Sequence, residues 1–566
     1  MHESSPSSSL SRPAWRQWLH DYRIPLIWAV LLLLVLPMRD LWSPDEPDFA
    51  QCVREMRERG SWMLPYLNGL PYSEKPILYY WLMKISAILG EKLSGGLGFD
   101  YGIAAWALRI PSVVASIGFA FAFRRWTARF WSKAAADPAT LVLCATPLWF
   151  WQSQFIQIDQ LFCVLLAWSW CSFLAGYLIL RDHRAGNALR WFLGAYISLA
   201  LAFLAKGPLA LVLSLPLLLG FLGWQRDWSA LAKIRLGWGL LLMLVIISPW
   251  YIGAGIQGGA TYAYEMIIHQ NLERATKAWD HIQPWWYYFE YVVSHFFPWS
   301  LALPAVAIQL WKQRLTLSPQ RRFAILAFVV PFLLLSCSQS KQGKYLMMVY
   351  PFLVLLLADL WGEPLSARVR RVGTALSAGI GVPALLLLAI VLFHLGGAKL
   401  QAQSQPFRGV VIVGSLILLG GALLGLHRTW RRGAFPVRET AFALGLLYLV
   451  GGTWGFRVLD PLKNYRTWTK VATPLMAGRQ VYYWMTIRSG VMVYTDHLMP
   501  ELRTWEDLEK RLGPEDRLVA IKRDWYTSEG GLTDARRNRL EVILRMPVGA
   551  GESLMLRRKP EPSTTK

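Results

Sequence analysis

Residues 24–49 read IPLIWAVLLLLVLPMRDLWSPDEPDF. The apolar run from Ile24 to Pro37 follows a basic stretch and is not followed by a small-residue cleavage site, so it predicts an uncleaved membrane anchor. Directly after it stand two acids between prolines, Asp45 and Glu46, in a loop rich in aromatics. A second charged cluster, Glu74-Lys75-Pro76, closes the same region. Ionisable groups at a membrane surface are costly enough that they usually serve a function.

The rest of the chain repeats the pattern of the first run. Of 566 residues, 54% are hydrophobic and 17% charged, and apolar runs recur as far as Phe456. The gaps between them are short and basic, which marks a polytopic helical membrane protein rather than a string of soluble domains. Thirty tryptophans fit membrane interfaces. The formal charge of +23 lies mainly in short inter-helix loops. Orientation and contact with anionic membrane lipid account for it, and nucleic acid is excluded as a partner. The five cysteines form no CxxC and no paired framework, so neither a zinc knuckle nor a disulfide scaffold is expected.

Basic loops at 124–133, 181–190, 226–235, 312–322, 368–371 and 428–438 are expected on the cytoplasmic side. All fall there if 76–90, interrupted by Lys84, is an amphipathic helix lying on the membrane, not a span. The segment 46–59, with Phe49, Val53 and Met56 at helical spacing, reads as another interfacial helix. About thirteen spans follow: 24–42, 103–123, 139–157, 160–180, 190–205, 208–224, 236–254, 290–311, 322–337, 345–361, 373–395, 408–427 and 439–456. The domains are then a cytoplasmic tail at 1–23, polar and disordered near its start, a membrane domain at 24–460 with its first periplasmic loop at 43–102, and a periplasmic α/β domain at 461–566. In that last domain 480–485, 491–494, 518–522, 540–546 and 553–557 read as strands. Thr504 with Asp507 reads as a capping box opening a helix that ends near Leu512.

This topology gathers distant charges on the outer side. Asp45 reads either as the cap of the helix after it or as a carboxylate that positions or deprotonates an acceptor. Glu74 and Lys75, after Tyr72, read as a surface ion pair or as groups for a metal and an anionic headgroup. Asp159 lies at an outer helix end; Lys206, beside Gly207-Pro208, is the lone charge of an apolar hairpin and either snorkels or binds. The loop 262–284 supplies Asn271, Arg274, Lys277 and His281, followed by an interfacial belt at Trp285-Trp286-Tyr287-Tyr288. Lys341, Lys344 and Tyr345 occupy the next outer turn, where positive charge runs against positive-inside placement. Lys75, Lys206, Arg274, Lys341 and Lys344 thus form a cationic ring facing Asp45, Glu74 and Asp159, suited to a lipid phosphate leaving group. No P-loop or Rossmann glycine pattern occurs, so a nucleotide cofactor is not expected.

The segment Asp45-Glu46-Pro47-Asp48-Phe49-Ala50, then Gly60-Ser61-Trp62, Pro65 and Tyr72-Ser73-Glu74-Lys75-Pro76, resembles the first outer loop of polyprenyl-phosphate-sugar glycosyltransferases. The closest group is the lipid A aminoarabinose transferases, related to the protein O-mannosyltransferases. Lys206-Gly207-Pro208, the Asn271, Arg274 and His281 loop with Pro284, and 341–351 match later segments in order. The resemblance implies a GT-C fold, an undecaprenyl-phosphate sugar donor and a lipid A or other envelope acceptor at the bacterial inner membrane. It makes Asp45 the central catalytic carboxylate and Asp159 its partner. Tyr72, Lys75, Arg274 and Tyr345 hold the donor phosphate, and Glu74 and His281 are contacts for a possible divalent metal. Phe49 departs from the family's frequent Tyr and loses any hydroxyl contact. The rival class, a lipid transporter or flippase, predicts charges along a path through the bundle and repeated halves, neither of which this sequence shows.

Overall fold

The computed structural model describes residues 14–559 apart from 101, 184, 274–280, 361–366, 394, 396–403, 485–489, 496–497, 503, 512–516, 523–536 and 549–550. Arg274 and Lys277 lie outside the described residues, as does the whole 1–13 stretch of the N-terminal tail. The apolar runs are helical, because a backbone without water must satisfy its own N–H and C=O groups. Among the described residues nine helices are long and apolar enough to cross a membrane, from Trp15–Val35 to Val437–Met476. The chain is a multi-pass membrane protein.

Four of the thirteen expected segments are helical but shorter or broken. The run 139–157 splits at Thr146-Pro147 into Lys133–Cys144 and Pro147–Ser153. Residues 290–311 bend by 106° between Tyr287–His295 and Trp299–Lys312, where Pro298 lacks the N–H a helix needs. Leu209–Gln225 and Gly343–Ala358 are short apolar helices. The second packs deep in the bundle, with Leu346, Tyr350 and Phe352 fully buried. Ile158–Arg181 is likewise buried along most of its length.

Charge placement follows from helix direction. Ile158–Arg181 starts, and Ala188–Lys206 ends, at the level of Asp159 and Lys206, which contact each other. Leu209–Gln225 starts there too, and Pro319–Cys337 runs toward the turn carrying Lys344. The basic loops 181–190, 226–235 and 312–322 therefore lie at the opposite end of the bundle.

Two helices fill the loop after the first span. Glu46–Glu58 opens with Pro47 in its first turn and with Glu46 and Asp48 on the favourable end of its dipole. It was expected at the membrane surface, but Ala50, Cys52, Val53 and Met56 are completely buried, so protein rather than lipid covers it. Leu78–Ser94 does present an outward stripe, Ile85, Leu89 and Leu93 at four-residue spacing, opposite buried Tyr79, Tyr80, Met83 and Ala87. That is the amphipathic face a surface-lying helix requires. Between the helices, Tyr66–Leu67 and Leu70–Pro71 pair in a hairpin whose turn, Asn68-Gly69, has positive φ at both positions.

The C-terminal part holds a five-stranded sheet in the order Glu501–Leu502, Val481–Trp484, Leu518–Lys522, Gly551–Arg558, Leu540–Val548. The first two pairings are parallel and the rest antiparallel. Thr504 caps Trp505–Arg511 as expected: Asp507 N–H donates to its Oγ1 at 3.1 Å, and Oγ1 donates back to the Asp507 carboxylate at 2.9 Å. Residues 491–494 are not a strand. They form a tight 3-10 turn, because the Met492 and Thr495 carbonyls accept from Arg54 Nη1 at 2.9 and 2.8 Å instead of from a neighbouring strand. Asn68 adds a two-bond amide clasp to Met499, at 2.6 and 3.0 Å. The sheet domain is thereby seated on the helix that begins after Asp45.

Candidate active site

The Asp45-Glu46 pair divides its labour. Glu46 turns inward, 1% exposed, between the guanidinium groups of Arg39 and Arg109. Arg39 Nη1 donates to Oε2 at 2.6 Å and Arg109 Nε to Oε1 at 2.9 Å. The Trp42 and Ile156 amides complete the shell at 2.8 and 3.0 Å. Burial alone would raise this carboxyl, but the two arginines outweigh it and hold Glu46 below the ordinary glutamate range. Arg109, the lone charge in the 105–123 run, is the sequence signal for this hub.

Asp45 turns the other way. It occupies the cap position of its helix, yet its side chain makes no capping bond. Oδ2 instead accepts from Gln157 Nε2 at 3.3 Å and lies 3.8 Å from Lys344 Nζ. Lys344 Nζ is also 3.4 Å from Asp159 Oδ2, and Lys206 Nζ pairs with Asp159 Oδ1. One ammonium thus links the two carboxylates, and Lys206 does not simply snorkel. It also lies 3.7 Å from the centre of the Tyr345 ring, a cation–π contact.

These groups line a cavity of about 320 Å³. Asp45, Tyr72, Glu74, Lys75, Asp159, Lys206, His281, Lys344 and Tyr345 all reach it, although they come from five separate regions of the sequence. Burial pushes the Tyr72 phenol well above its usual range, and the Glu74 carboxylate it hydrogen-bonds adds to the effect. Lys341 is the exception. Its buried ammonium donates to the Gln283 carbonyl at 2.8 Å, tying the 338–344 turn to the segment after His281. The cationic ring therefore lacks that member. Asp48, Tyr80 and Gln157 line the cavity without having been singled out in the sequence. The aromatic tetrad splits as well: Trp285 and Trp286 are exposed, whereas Tyr288 is buried.

Glu74 and His281 share the cavity as expected for a metal pair. Among the described residues, however, no three His, Cys, Asp or Glu side chains converge as ligands. A divalent ion held by Glu74 and His281 would need water or a donor phosphate to complete its shell.

Gly343 positions Lys344 and Tyr345. A Cβ at this glycine would overlap the Tyr291 and His295 rings. Gly343→Ala should therefore displace the turn and lower turnover roughly tenfold or more, since misplacing a reacting group by about 1 Å costs up to ~10²-fold. Full activity of that variant in a donor-transfer assay would show that the turn tolerates the shift.

A multi-helix membrane bundle with a carboxylate–lysine cavity at one end and a small appended sheet domain is the arrangement that the sequence resemblance to GT-C glycosyltransferases implies. A family model described as dolichyl-phosphate-mannose-protein mannosyltransferase matches residues 74–252. The undecaprenyl phosphate-alpha-4-amino-4-deoxy-L-arabinose arabinosyl transferase of Pseudomonas paraeruginosa is 31% identical over 441 residues, 74% of this chain and 73% of that protein. The Shewanella sediminis protein of the same name is 27% identical over 404 residues, 70% of each chain. The crystal structure of ArnT from Cupriavidus metallidurans bound to undecaprenyl phosphate superimposes with a TM-score of 0.75 at 20% identity, covering 96% of this chain and 98% of that one. The chain belongs to the undecaprenyl phosphate-aminoarabinose arabinosyl transferase family.

Proposed function

We propose that this protein transfers 4-amino-4-deoxy-L-arabinose from undecaprenyl phosphate to lipid A on the periplasmic side of the bacterial inner membrane. The observation that carries the reading is Lys344 bridging Asp45 and Asp159 inside the cavity, with Lys206 on the same carboxylate. The names of the relatives supply the donor and sugar. Sidedness is supported by the basic loops, which favour the cytoplasm and lie at the end away from the cavity.

The reaction breaks the bond between the sugar's anomeric carbon and the phosphate oxygen, and the electron pair leaves with undecaprenyl phosphate. Lys75, Lys206 and Lys344 stabilise the charge that grows on that phosphate. A new bond forms from an acceptor oxygen to the same carbon. A lipid A phosphate is already ionised near neutral pH, so Asp45 then orients substrate or stabilises positive charge at the sugar carbon. A hydroxyl acceptor would instead give its proton to Asp45.

Mass spectrometry of lipid A from cells with and without the gene tests the reading. An aminoarabinose increment on lipid A only in the presence of the gene is expected. The same increment found on a protein would move the acceptor to the mannosyltransferase-like alternative. In purified enzyme, Lys75→Ala should raise the apparent KM for the lipid donor by roughly tenfold, the size of one charge-assisted phosphate contact. An unchanged donor KM would remove Lys75 from the phosphate site.

A further inference from the structure

A second cavity lies far from the lysines and carboxylates of the first. Ala14–Val35 and Val437–Val450 both lead toward the contact in which the Asp40 amide donates to the Asp460 carboxylate at 2.9 Å, near the catalytic end. Ile24 and Arg438, toward the other ends of these helices, mark the opposite side of the bundle. Between the two helices, and flanked by Lys133–Cys144 and Arg408–Arg431, runs a groove of about 590 Å³. Its lining extends from Ile24 to Leu34 on the first helix, a rise of about 15 Å at ~1.5 Å per residue. That is the depth of one leaflet, half of a hydrocarbon core about 30 Å thick.

The floor is apolar because its polar atoms are turned inward. The Trp28 indole N–H donates to Ser116 at 3.2 Å, and the Tyr448 hydroxyl donates to the Ala145 carbonyl at 2.8 Å. The Tyr448 ring is stacked on Phe150 with centroids 4.3 Å apart. Ile27, Leu424 and Phe442 form an exposed rim. A Cβ at Gly445 would meet no atom within 4 Å, so this glycine leaves the groove open. The mouth is cationic. Glu439 is paired with Arg428 at 3.0 Å, whereas Arg438 is exposed and meets no carboxylate among the described residues. Leu424, Arg428 and Arg432 follow at four-residue spacing, which sets a further exposed cation one turn beyond the pair.

A soluble anion would satisfy Arg438 and ignore the groove. A neutral isoprenoid or quinone would fill the groove and ignore the arginine. We propose that the groove binds one anionic glycerophospholipid of the leaflet opposite the catalytic cavity, with an acyl chain lying along Gly445 and the phosphate meeting Arg438. Apolar burial holds the chain, and an arginine at the membrane surface favours an anionic headgroup roughly fivefold. The lipid joins the first span to the last, two helices from opposite ends of the membrane domain. The site is independent of the transfer reaction, since none of its residues reaches the catalytic cavity.

The test places the purified full-length protein in nanodiscs of equal parts phosphatidylglycerol and phosphatidylcholine with the same acyl chains. Native mass spectrometry of the released protein reads the lipid it keeps. Wild type should retain one phospholipid, phosphatidylglycerol over phosphatidylcholine by about fivefold or more. Arg438→Ala should bring that ratio close to one while a lipid stays bound. Gly445→Leu, which fills the groove without meeting protein, should abolish the retained lipid. Should either variant melt early in lipid-free detergent, the wild-type ratio and the other variant decide. Equal retention of the two lipids by wild type means general contact with the bilayer only and overturns the site. Unchanged retention in both variants overturns it as well, and so does a neutral lipid held in place of the phospholipid.

Discussion

Asp45→Asn is expected to yield a folded protein whose sugar transfer is lost, with turnover down by ~10²–10⁴-fold. The substitution keeps the shape and removes the negative charge. In the wild type that charge lies 3.8 Å from Lys344 Nζ, on a side chain that is 35% exposed. Without it, Lys344 rests on Asp159 alone, and nothing at that position stabilises positive charge on the sugar carbon or accepts an acceptor proton. Folding should survive, because the side chain makes no capping bond and the structural carboxylate is its neighbour. Purified variant that turns over lipid-linked sugar at the wild-type rate would dismiss Asp45 from the chemistry.

Glu46→Ala should fail in the opposite way, through stability. It strands Arg39 and Arg109, with side chains 1% and 0% exposed, without the carboxylate that both pair with. Breaking a buried ion pair by removing one partner costs about 3–5 kcal/mol, a large part of the ~5–15 kcal/mol that holds a typical domain. The variant should show a markedly lower unfolding temperature in detergent and poor recovery from membranes. A carboxyl held below its unfolded value contributes stability that is present above that value and fades as pH falls through the folded one. Wild type should therefore weaken below the ordinary glutamate range on account of this group, and Glu46→Ala should lack that component. Wild-type thermal stability in Glu46→Ala would contradict the hub.

How much of this was legible in the sequence depended on the length scale of each signal. Membrane runs and basic loops are long, repetitive patterns, so the bundle and the shared location of Asp45, Asp159, Lys206 and Lys344 could be read directly. Side-chain direction could not. Asp45 and Glu46 are adjacent, equally acidic and flanked by prolines; which one faces the cavity is decided by Arg39 and Arg109, the second of them 63 residues away from Glu46. Lys341 and Lys344 share a turn, yet only one finds a carboxylate, because the other is captured by the Gln283 carbonyl. The 491–494 segment has strand-like composition, but Arg54 binds the carbonyls on either side of it. Tyr80 reads as an ordinary core aromatic, and only its unpartnered hydroxyl sets it apart.

The seat formed by the Met492 and Thr495 carbonyls beneath the 46–58 helix also has a temporal meaning. Synthesis delivers Asp45 early and the carbonyls under its helix more than four hundred residues later. A nascent chain holds its lysines and acids well before that support exists. The helix that begins after Asp45 therefore gains this anchor only once residue 495 has been made.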